Sequence, residues 1–397
     1  MPTVRVVRRA SSPDPASVRW RTQVKTNRHG AVVGLIAAGA LLLTACGSDD
    51  NTGGTAGGTT SGNAPAVAVE CGGKAKLNAE GSSAQKNAID TFIQSYKQKC
   101  SGADLAYNPS GSGAGVKNFL AAQVDFGGSD SPLSKDKGEV EKAAERCAGN
   151  PAWNLPLVFG PVAIGYKLDG VKDLVLNGEV AAKIFNGTVK KWNDPAIKAL
   201  NGSASLPDKD IKVVYRSDES GTTDNFQKYL KIASKGAWTQ GDGKAFKGGV
   251  GEGKEKSAGV AQAAGSVDGA ITYVELSFAQ DNKLSMAKID TGAGAVELTS
   301  ETVGKAIDGA KVKGEGNDLV LDLDSIYGTA TAGSYPLLLA TYEIVCSKGY
   351  DADTAKAVKA FLTVAATDGQ AGLADAGYAP LPKAFQDKLL TAIKAIA

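Results

Sequence analysis

Short apolar runs alternate with amphipathic stretches from residue 74 to the end of the chain. Apolar side chains recur every three or four residues in the stretches, which predicts helices, and the runs between them predict strands. The predicted strands lie at residues 74–79, 105–108, 124–128, 158–168, 211–215, 270–274 and 336–345, and the predicted helices at residues 83–99, 115–123, 180–185, 195–200, 222–230, 303–310 and 352–367. This alternation is typical of an α/β protein with mostly parallel sheets. Because one sheet with so many strands would be unusual, we expect two lobes.

The first 45 residues follow another pattern. Seven basic residues and one acid precede residue 31, and an apolar run of 13 residues, 31–43, comes next. This run is too short to span a bilayer but has the length of the apolar region of a signal peptide. It ends in Leu-Thr-Ala-Cys at Cys46, which resembles the lipobox of bacterial lipoproteins. We therefore predict a lipoprotein signal peptide at residues 1–45 and a diacylglycerol on Cys46. An arginine pair at residues 8–9 leaves twin-arginine export open, although its distance from the apolar run favours ordinary secretion.

A Gly/Thr-rich segment, residues 46–70, follows the predicted signal peptide. It has no apolar period and is typical of a flexible tether. We expect the ordered part to begin near Cys71, to cross into a second lobe near residues 157–165 and to return near residues 336–345, with the two crossing strands as a hinge. The predicted lobes are residues 71–157 plus 345–397 and residues 158–344.

The composition argues against several classes of function. His29 is the one histidine and lies within the predicted signal peptide, so the mature chain offers no Ser-His-Asp or Cys-His catalysis and no histidine metal ligand. Lys plus Arg number 44 against 42 Asp plus Glu, which argues against a general nucleic-acid binder. Residues 248–255 nearly match a nucleotide-binding P-loop, but Glu255 stands where Ser or Thr is needed for magnesium and no apolar strand precedes the segment. We expect no enzyme, no cofactor and no metal site.

Four cysteines remain in the mature chain beyond Cys46: Cys71, Cys100, Cys147 and Cys346. An even number in an exported chain predicts two disulfides. The sequence has no Cys-x-x-Cys pair, which would have indicated a zinc site. Three pairings are possible. We favour Cys71–Cys100 and Cys147–Cys346, the first because it would tie the ends of one strand-helix unit.

Three Gly/Ser clusters lie where a predicted strand passes into a predicted helix, at residues 81–84, 110–115 and 220–223. The first turn of a helix has unpaired N–H groups and a partial positive charge, and glycine lets an anion approach the backbone. Three such helix starts that converge would form an oxyanion site. The alternative is that each cluster is an ordinary N-cap, for which Ser and Thr are favoured anyway.

Arginine usage supports the oxyanion hypothesis. The mature chain has two arginines, Arg146 and Arg216, and Arg216 stands between a predicted strand and the third cluster. A guanidinium suits bidentate contact with a tetrahedral oxyanion, and Asp218 could hold it in place. A structural salt bridge between the two is the alternative.

Several segments resemble those of one family. AEGSSAQKNAIDTF, NPSGSGAGVKNFLAAQVDFGGSDSPLS and YRSDESGTTDNFQKYL are similar, in order and spacing, to signature segments of the periplasmic phosphate-binding proteins of Pst-type ABC importers. NLPLVFGPVAIGYKL, AAKIFNGTVKKWNDPAI and TDGQAGLADAGYAPLP are similar to further segments of that family. The resemblance covers roughly residues 75–395, and the lipobox suits an actinobacterial lipoprotein form. It implies a two-lobed, class II periplasmic-binding-protein fold with two mixed sheets.

The resemblance also implies a set of phosphate-binding residues. By motif these are Ser82, Ser83, Ala84, Ser112, Asp130, Arg216, Asp218, Ser220, Gly221 and Thr222. Asp218 would orient Arg216, and Ala84 would contribute its backbone N–H. The chain departs from the family at Ala84 and Gln85, where many relatives have an aromatic residue or leucine followed by proline. A backbone contact at residue 84 survives that change, but the packing near it is put in doubt.

Asp130 has a physical logic of its own. A carboxylate repels an anion unless the anion carries a proton to share with it. Phosphate near neutral pH keeps at least one proton, whereas sulfate has none and would leave two acceptors facing each other. We therefore expect Asp130 to favour a protonated oxyanion.

The family's function supplies the remaining expectations. The chain would capture inorganic phosphate at the outer face of the cell membrane, anchored through Cys46, and deliver it to the membrane permease subunits of an ABC importer. The alternatives are a surface lipoprotein of the same fold that binds another oxyanion, such as sulfate, molybdate or phosphonate, or one that acts as an adhesin or antigen.

The lipid anchor can be tested directly. In a Cys46→Ala variant the acceptor thiol is lost, so the protein should leave the membrane fraction or remain unprocessed. Fractionation of the producing cells and mass spectrometry of the mature N-terminus measure this. Identical fractionation of both proteins, with no acyl group on the wild type, would refute the prediction.

Overall fold

A computed structural model describes residues 67–202 and 204–397. The predicted signal peptide, Cys46 and most of the predicted tether lie outside the described residues. Within them, the strands are β1 (Lys76–Gly81), β2 (Asp104–Asn108), β3 (Phe126–Ser129), β4 (Ala152–Lys167), β5 (Val175–Asn177), β6 (Lys212–Arg216), β7 (Glu252–Lys254), β8 (Ala270–Glu275), β9 (Ser285–Met286), β10 (Lys288–Asp290), β11 (Ala295–Val296), β12 (Lys311–Val312), β13 (Leu321–Asp322) and β14 (Leu338–Cys346).

Helices alternate with these strands, as the apolar pattern predicts. In the same described residues the α-helices are α1 (Lys86–Lys99), α2 (Ser112–Leu120), α3 (Glu139–Arg146), α4 (Gly178–Phe185), α5 (Pro195–Leu200), α6 (Gly221–Ala233), α7 (Lys256–Gly265), α8 (Leu276–Asp281), α9 (Ser300–Asp308), α10 (Asp324–Tyr327), α11 (Ala352–Ala366) and α12 (Lys383–Lys394). A short 3₁₀ turn lies at Asp368–Gln370. No helix in this part of the chain combines the length and apolar character that a membrane crossing requires.

Helix α1 shows how the apolar pattern becomes packing. Its buried side chains, Ala88, Ile89, Phe92 and Tyr96, form one stripe, and the Tyr96 ring meets the Phe361 ring of α11 edge-on at 5.5 Å. The helix begins at Lys86, three residues later than predicted. The preceding Gly/Ser cluster is therefore a turn between β1 and α1 and not the first turn of the helix.

The principal sheet is mixed and contains nine strands in the order β2-β1-β3-β14-β4-β8-β6-β7, with β9 also paired to β4. β1 is parallel to β2 and β3, and β6 is parallel to β7 and β8. β14 is antiparallel to both of its neighbours, and β4 is antiparallel to β8. The expectation of mostly parallel pairing therefore holds at the two ends of the sheet but not at its centre. Two small sheets, β11-β10-β5 and β12-β13, complete the set in the described residues.

Strand β4 connects the two ends of this sheet. Its residues from Ala152 to Pro161 pair with β14, and those from Val162 to Lys167 pair with β8. The sequence led us to expect two mixed sheets, whereas the 16 residues of β4 are enough to join the strands in one hydrogen-bonded path. β4 and β14 are the two strands predicted to cross between lobes. The lobe boundaries themselves stay a prediction.

Two disulfides have the pairing that the sequence favoured. Cys71 is bonded to Cys100 at the end of α1, and Cys147 is bonded to Cys346 at the end of β14, with Cα–Cα distances of 5.3 Å in both cases. The second bridge spans 199 residues of sequence and ties α3 to the central strands. A cross-link over so long a segment restricts the unfolded chain strongly, by about 5 kcal/mol in the chain-entropy model.

Candidate functional site

The three Gly/Ser clusters converge on one carboxylate. Residues 82–84 form the turn between β1 and α1, Ser112 is the first residue of α2, and Ser220 is the N-cap of α6. Asp130 directly follows β3, which is parallel to β1 in the sheet. Because the carboxyl ends of neighbouring parallel strands lie at one edge, the turns that follow them meet there. The structure therefore brings the predicted clusters together.

Asp130 is buried and receives three hydroxyl hydrogen bonds. Ser82 Oγ and Ser112 Oγ donate to its Oδ2 at 2.7 and 3.0 Å. Thr341 Oγ1 donates to Oδ1 at 2.7 Å. Burial raises the pKa of Asp130 to about 6, with a smaller increase from Glu275, while the three hydroxyl donors act in the opposite direction. The site thus holds a carboxylate that is close to gaining a proton near neutral pH.

The start of α6 approaches Asp130 so closely that position 221 requires glycine. A Cβ on Gly221 would stand 2.5 Å from Cβ of Asp130 and 2.6 Å from Oγ of Ser112. Both distances are shorter than side-chain carbons tolerate, and Asp130 and Ser112 are both buried. The glycine therefore allows the first turn of α6 to meet the carboxylate.

Two of the predicted hydroxyl donors have local partners. Ser220 Oγ accepts the N–H of Thr223 at 3.2 Å, as an ordinary N-cap does, and Thr222 Oγ1 donates to Glu275 at 2.5 Å. The backbone N–H groups of Gly221 and Thr222 have no acceptor among the described residues. This end of α6 therefore presents free N–H groups, as the first turn of a helix does.

Arg216 is the last residue of β6 and is only 2% exposed. Its Nε and Nη2 donate to the two carboxylate oxygens of Asp218 at 2.7 and 2.5 Å, and the N–H of Lys256 donates to the same group at 2.9 Å. Burial alone would lower the pKa of Arg216, but the hydrogen-bonded pair with Asp218 outweighs it and the pKa is raised. Nη1 points away from Asp218 and donates to Ser257 Oγ at 3.2 Å. Asp218 thus sets the orientation of the guanidinium.

Sequence reasoning missed Ser257, which faces Ser83 across the site. The two Oγ atoms are 2.9 Å apart, and the N–H of Ser257 donates to Ser83 Oγ at 3.1 Å. Ser257 lies in the first turn of α7, which consists largely of small residues and has no strong apolar period. Thr341 was also missed, since a threonine inside a strand carries no local sign of a distant partner. No local signal marks Ser257 either, because α7 begins without a capping side chain.

The departure from the family pattern has a structural account. The N–H of Ala84 donates to Ser82 Oγ at 3.1 Å, so this backbone group belongs to the site. Gln85 is buried, and its Nε2 donates to Tyr107 Oη at 3.0 Å. Tyr107 Oη in turn donates to the carbonyl of Ser82 at 2.8 Å. The glutamine therefore supports the turn through hydrogen bonds.

A second buried carboxyl, Glu343 of β14, lies behind this turn. Neither of its carboxyl oxygens has a hydrogen-bond partner in the described residues. The side-chain carbonyl oxygen of Gln85 has no partner there either. Burial raises the pKa of Glu343 to about 8, with a further increase from Asp130 and an opposing effect of the neighbouring Gln85 amide. The Gln85 amide N–H donates to Tyr107, so no hydrogen bond in the described residues stabilises a charge on Glu343. The raised pKa therefore favours the neutral carboxyl at pH 7, which avoids a second negative charge beside Asp130.

Comparison with known proteins identifies the family of the chain. The model of a periplasmic-binding-protein family, described as a PBP superfamily domain, matches residues 53–368. The structure of a high affinity periplasmic phosphate-binding protein (PfluDING), solved with bound phosphate, is similar to this chain, with a TM-score of 0.63 and 23% identity. The match covers 80% of this chain and 93% of that protein. A putative phosphate ABC transporter substrate-binding protein from Clostridium perfringens has a TM-score of 0.56 at 18% identity over 77% and 100% of the two chains. The chain is therefore a member of the PBP superfamily, and the predicted two-lobed α/β fold is confirmed.

A finer assignment follows from sequence identity. The chain is 55% identical over 376 residues to the phosphate-binding protein PstS 3 of Mycobacterium tuberculosis, which covers 94% of this chain and 100% of the relative. The chain belongs to the PstS family of phosphate-binding proteins.

Replacement of Glu343 by glutamine tests whether the Glu343 carboxyl carries a proton in the folded protein. Because Glu343 has a folded pKa of about 8 against an ordinary value of 4.5, its contribution to wild-type stability is complete below pH 4.5 and is lost as the pH rises toward 8. Glutamine keeps the shape of the side chain but cannot ionise. We expect the stability of Glu343→Gln relative to the wild type to rise with pH, from about 1 kcal/mol at pH 5 to about 4 kcal/mol at pH 8.

Chemical denaturation at several pH values measures the difference in free energy of unfolding. Glu145→Gln is the control, since Glu145 is exposed on α3 and forms no ion pair in the described residues. Parallel stability profiles for wild type and Glu343→Gln would show that Glu343 is not protonated in the native state.

Proposed function

We propose that this chain binds inorganic phosphate between its lobes and acts as the solute-binding lipoprotein of an ABC phosphate importer. The observation that carries the proposal is the pairing of opposite groups in one buried site. An oriented Arg216 guanidinium and the free N–H groups of α6 suit a multiply charged oxyanion. Asp130, at the same site, suits an anion that still carries a proton. Phosphate is the common oxyanion with both properties.

The donors fall into groups by element. Ser82, Ser83 and the N–H of Ala84 would donate from the first turn, and Ser112 from α2. Arg216 would donate through Nη1, held by Asp218, while Gly221 and Thr222 would donate through their N–H groups, capped by Ser220. The hydroxyls of Ser82 and Ser112 each have one proton, which they donate to Asp130. They would turn from Asp130 to the anion when Asp130 accepts the proton of the ligand.

Contacts between the proposed lobes support closure around the ligand. Lobe one would comprise residues 71–157 and 345–397 and lobe two residues 158–344, with β4 and β14 as the hinge. Ser83 meets Ser257 across this division, and Gly221 meets Asp130. Each of these contacts includes a residue of the site, so a ligand held there would hold the two lobes together.

The family and the N-terminal sequence support a place of action outside the cytoplasm. PstS-type proteins are solute-binding components of transport systems outside the cytoplasm. A lipidated Cys46 and the tether at residues 46–70 would keep the protein at the outer face of the cell membrane, near the permease subunits that receive phosphate. The proposed role is binding and delivery without catalysis.

Calorimetric titration of the mature chain with phosphate, arsenate and sulfate tests the proposal. We expect tight binding of phosphate and arsenate, which are isosteric and protonated at neutral pH, and no measurable binding of sulfate. Binding of sulfate with equal affinity, or of none of the three, would refute it, and the latter result would favour the adhesin alternative.

Substitutions of Arg216 test the proposed phosphate site more directly. Arg216→Ala should weaken phosphate binding by about 2–5 kcal/mol, because a buried charge pair with the anion is lost. Arg216→Lys should restore this only in part, since lysine cannot bond to Asp218 and the anion through a planar fork. Titration calorimetry gives the dissociation constants.

Arg146→Lys is the matched control, since Arg146 bonds to the carbonyls of Phe119 and Val124 away from the site. It should leave phosphate affinity unchanged. Unchanged affinity in Arg216→Ala would assign Arg216 a structural role.

Selectivity should depend on Asp130. Asp130→Asn removes the repulsion toward a fully ionised anion and adds an amide donor, while a carbonyl acceptor remains. We expect the ratio of the sulfate to the phosphate dissociation constant to fall by about ten-fold or more. The dissociation constant of phosphate itself should change only modestly. Asp318→Asn, at a partly buried carboxylate that bonds to Asn154, is the control. An unchanged ratio in Asp130→Asn would leave selectivity to Arg216 and the helix starts.

A further inference from the structure

A cavity of about 460 Å³ opens beside the candidate site and has a strongly basic lining. Four lysines from three parts of the chain border it, together with two glutamates: Lys117, Lys137, Lys142, Lys244, Glu139 and Glu219. Nothing in the site described above uses these lysines. Their convergence on one cavity therefore needs its own explanation.

The four lysines have no ionic partner, like most lysines in the described residues. Fourteen other lysines in the described residues have an Asp or Glu oxygen within 4.0 Å. None of the cavity lysines forms such a pair with the described residues, although Glu139 and Glu219 border the same space. The cavity lining thus has two more basic than acidic side chains.

Lys244 is the most informative of the four. Its side chain is buried, with 7% of the residue exposed, and its Nζ donates no hydrogen bond to the described residues. Burial lowers its pKa, and Lys137 acts in the same direction, while Glu139 and Asp224 oppose them. A buried ammonium without a partner is costly unless a counter-charge reaches it. Since Lys244 borders the cavity, an anion there would supply that charge.

The cavity adjoins the buried site through two residues. Gly113 and Glu219 border it, and each is the chain neighbour of a site residue, Ser112 and Ser220. The N–H of Gly113 donates to the carbonyl of Glu219 at 3.0 Å, and a Cβ on Gly113 would lie 2.4 Å from Glu219 Cβ. This close contact joins the start of α2 to the segment before α6, so it must separate when the proposed lobes open.

The backbone links the cavity to the site as well. The N–H of Ser220 donates to the carbonyl of Lys244 at 2.9 Å. The loop that carries the buried lysine is therefore attached to the N-cap of α6.

We propose that the lysine cavity is a capture site for oxyanions at the mouth of the binding cleft. Inorganic phosphate would be held there weakly by Lys117, Lys137, Lys142 and Lys244, and would pass to the buried site when the Gly113–Glu219 contact opens. Lysine ammonium groups act as point charges without a fixed geometry, so capture is electrostatic and selection is left to the deeper site. This proposal rests on the proposed function, because it assumes that phosphate is the ligand.

Association kinetics distinguish capture from a mere surface charge. The test variant is Lys117→Gln/Lys137→Gln/Lys142→Gln, and the control is Lys198→Gln/Lys311→Gln/Lys313→Gln, which changes three exposed lysines outside the cavity by the same net charge. A chase of radiolabelled inorganic phosphate gives the dissociation rate, calorimetry gives the dissociation constant, and their ratio gives the association rate.

At low salt we expect the association rate of the cavity variant to fall about ten-fold, within the range of electrostatic steering. The control should change less than two-fold, and dissociation rates should be unchanged. At about 1 M salt, where the Debye length is about 3 Å, the difference should disappear. Equal losses in both variants, or an effect confined to dissociation, would overturn the proposal.

Lys244→Met is the second variant, since it removes the ammonium and keeps much of the side-chain volume. Its association rate should fall about three-fold at low salt, with phosphate still bound in the deeper site. If this variant does not fold, the triple variant alone decides. A wild-type chain that binds no phosphate would refute the proposed function and the capture site together, whereas normal binding with an unaffected association rate refutes only the capture site.

Discussion

The arrangement of the site depends on the burial of one carboxylate. Asp130 is 2% exposed and cannot remain charged there without donors, so it needs hydroxyl groups from every side. Those donors come from the turn before α1, the start of α2 and the middle of β14, which are separated by up to 259 residues between Ser82 and Thr341. Satisfying Asp130 therefore sets the mutual positions of three elements. Gly221 completes the arrangement, because only a residue without a side chain lets α6 approach the same group.

The positive charge of the site is stabilised by an ion pair, whereas Asp130 is stabilised by hydroxyl groups. Arg216 has its own counter-ion in Asp218, which holds two of its nitrogens and leaves the third free to face Ser257. A guanidinium that is already paired is not drawn to Asp130. The acceptor and the donor thus remain separate, and an anion that carries a proton can satisfy both at once. Glu343 fits the same logic, since its raised pKa keeps it uncharged beside Asp130.

Much of the fold and of the site could be predicted from the sequence, because many of the signals are local. The apolar stripe of α1 and the Gly/Ser turns are visible in a few consecutive residues, and the clusters do meet. The contacts of Thr341 and Ser257 were out of reach, because each depends on strand register or on a helix of small residues. The path of the sheet was also missed, since nothing local tells that β4 changes partners at Pro161 and Val162.

That change of partners within one strand has a consequence for unfolding. Because β4 pairs with β14 along its first part and with β8 along its second, neither half of the sheet can lose its central strand without removing hydrogen bonds from the other. The Cys147–Cys346 bridge strengthens this, as it holds the end of β14 beside the start of β4. The two halves should therefore melt in one calorimetric transition, and the amides shared by β4 and β14 should be among the slowest to exchange with deuterium.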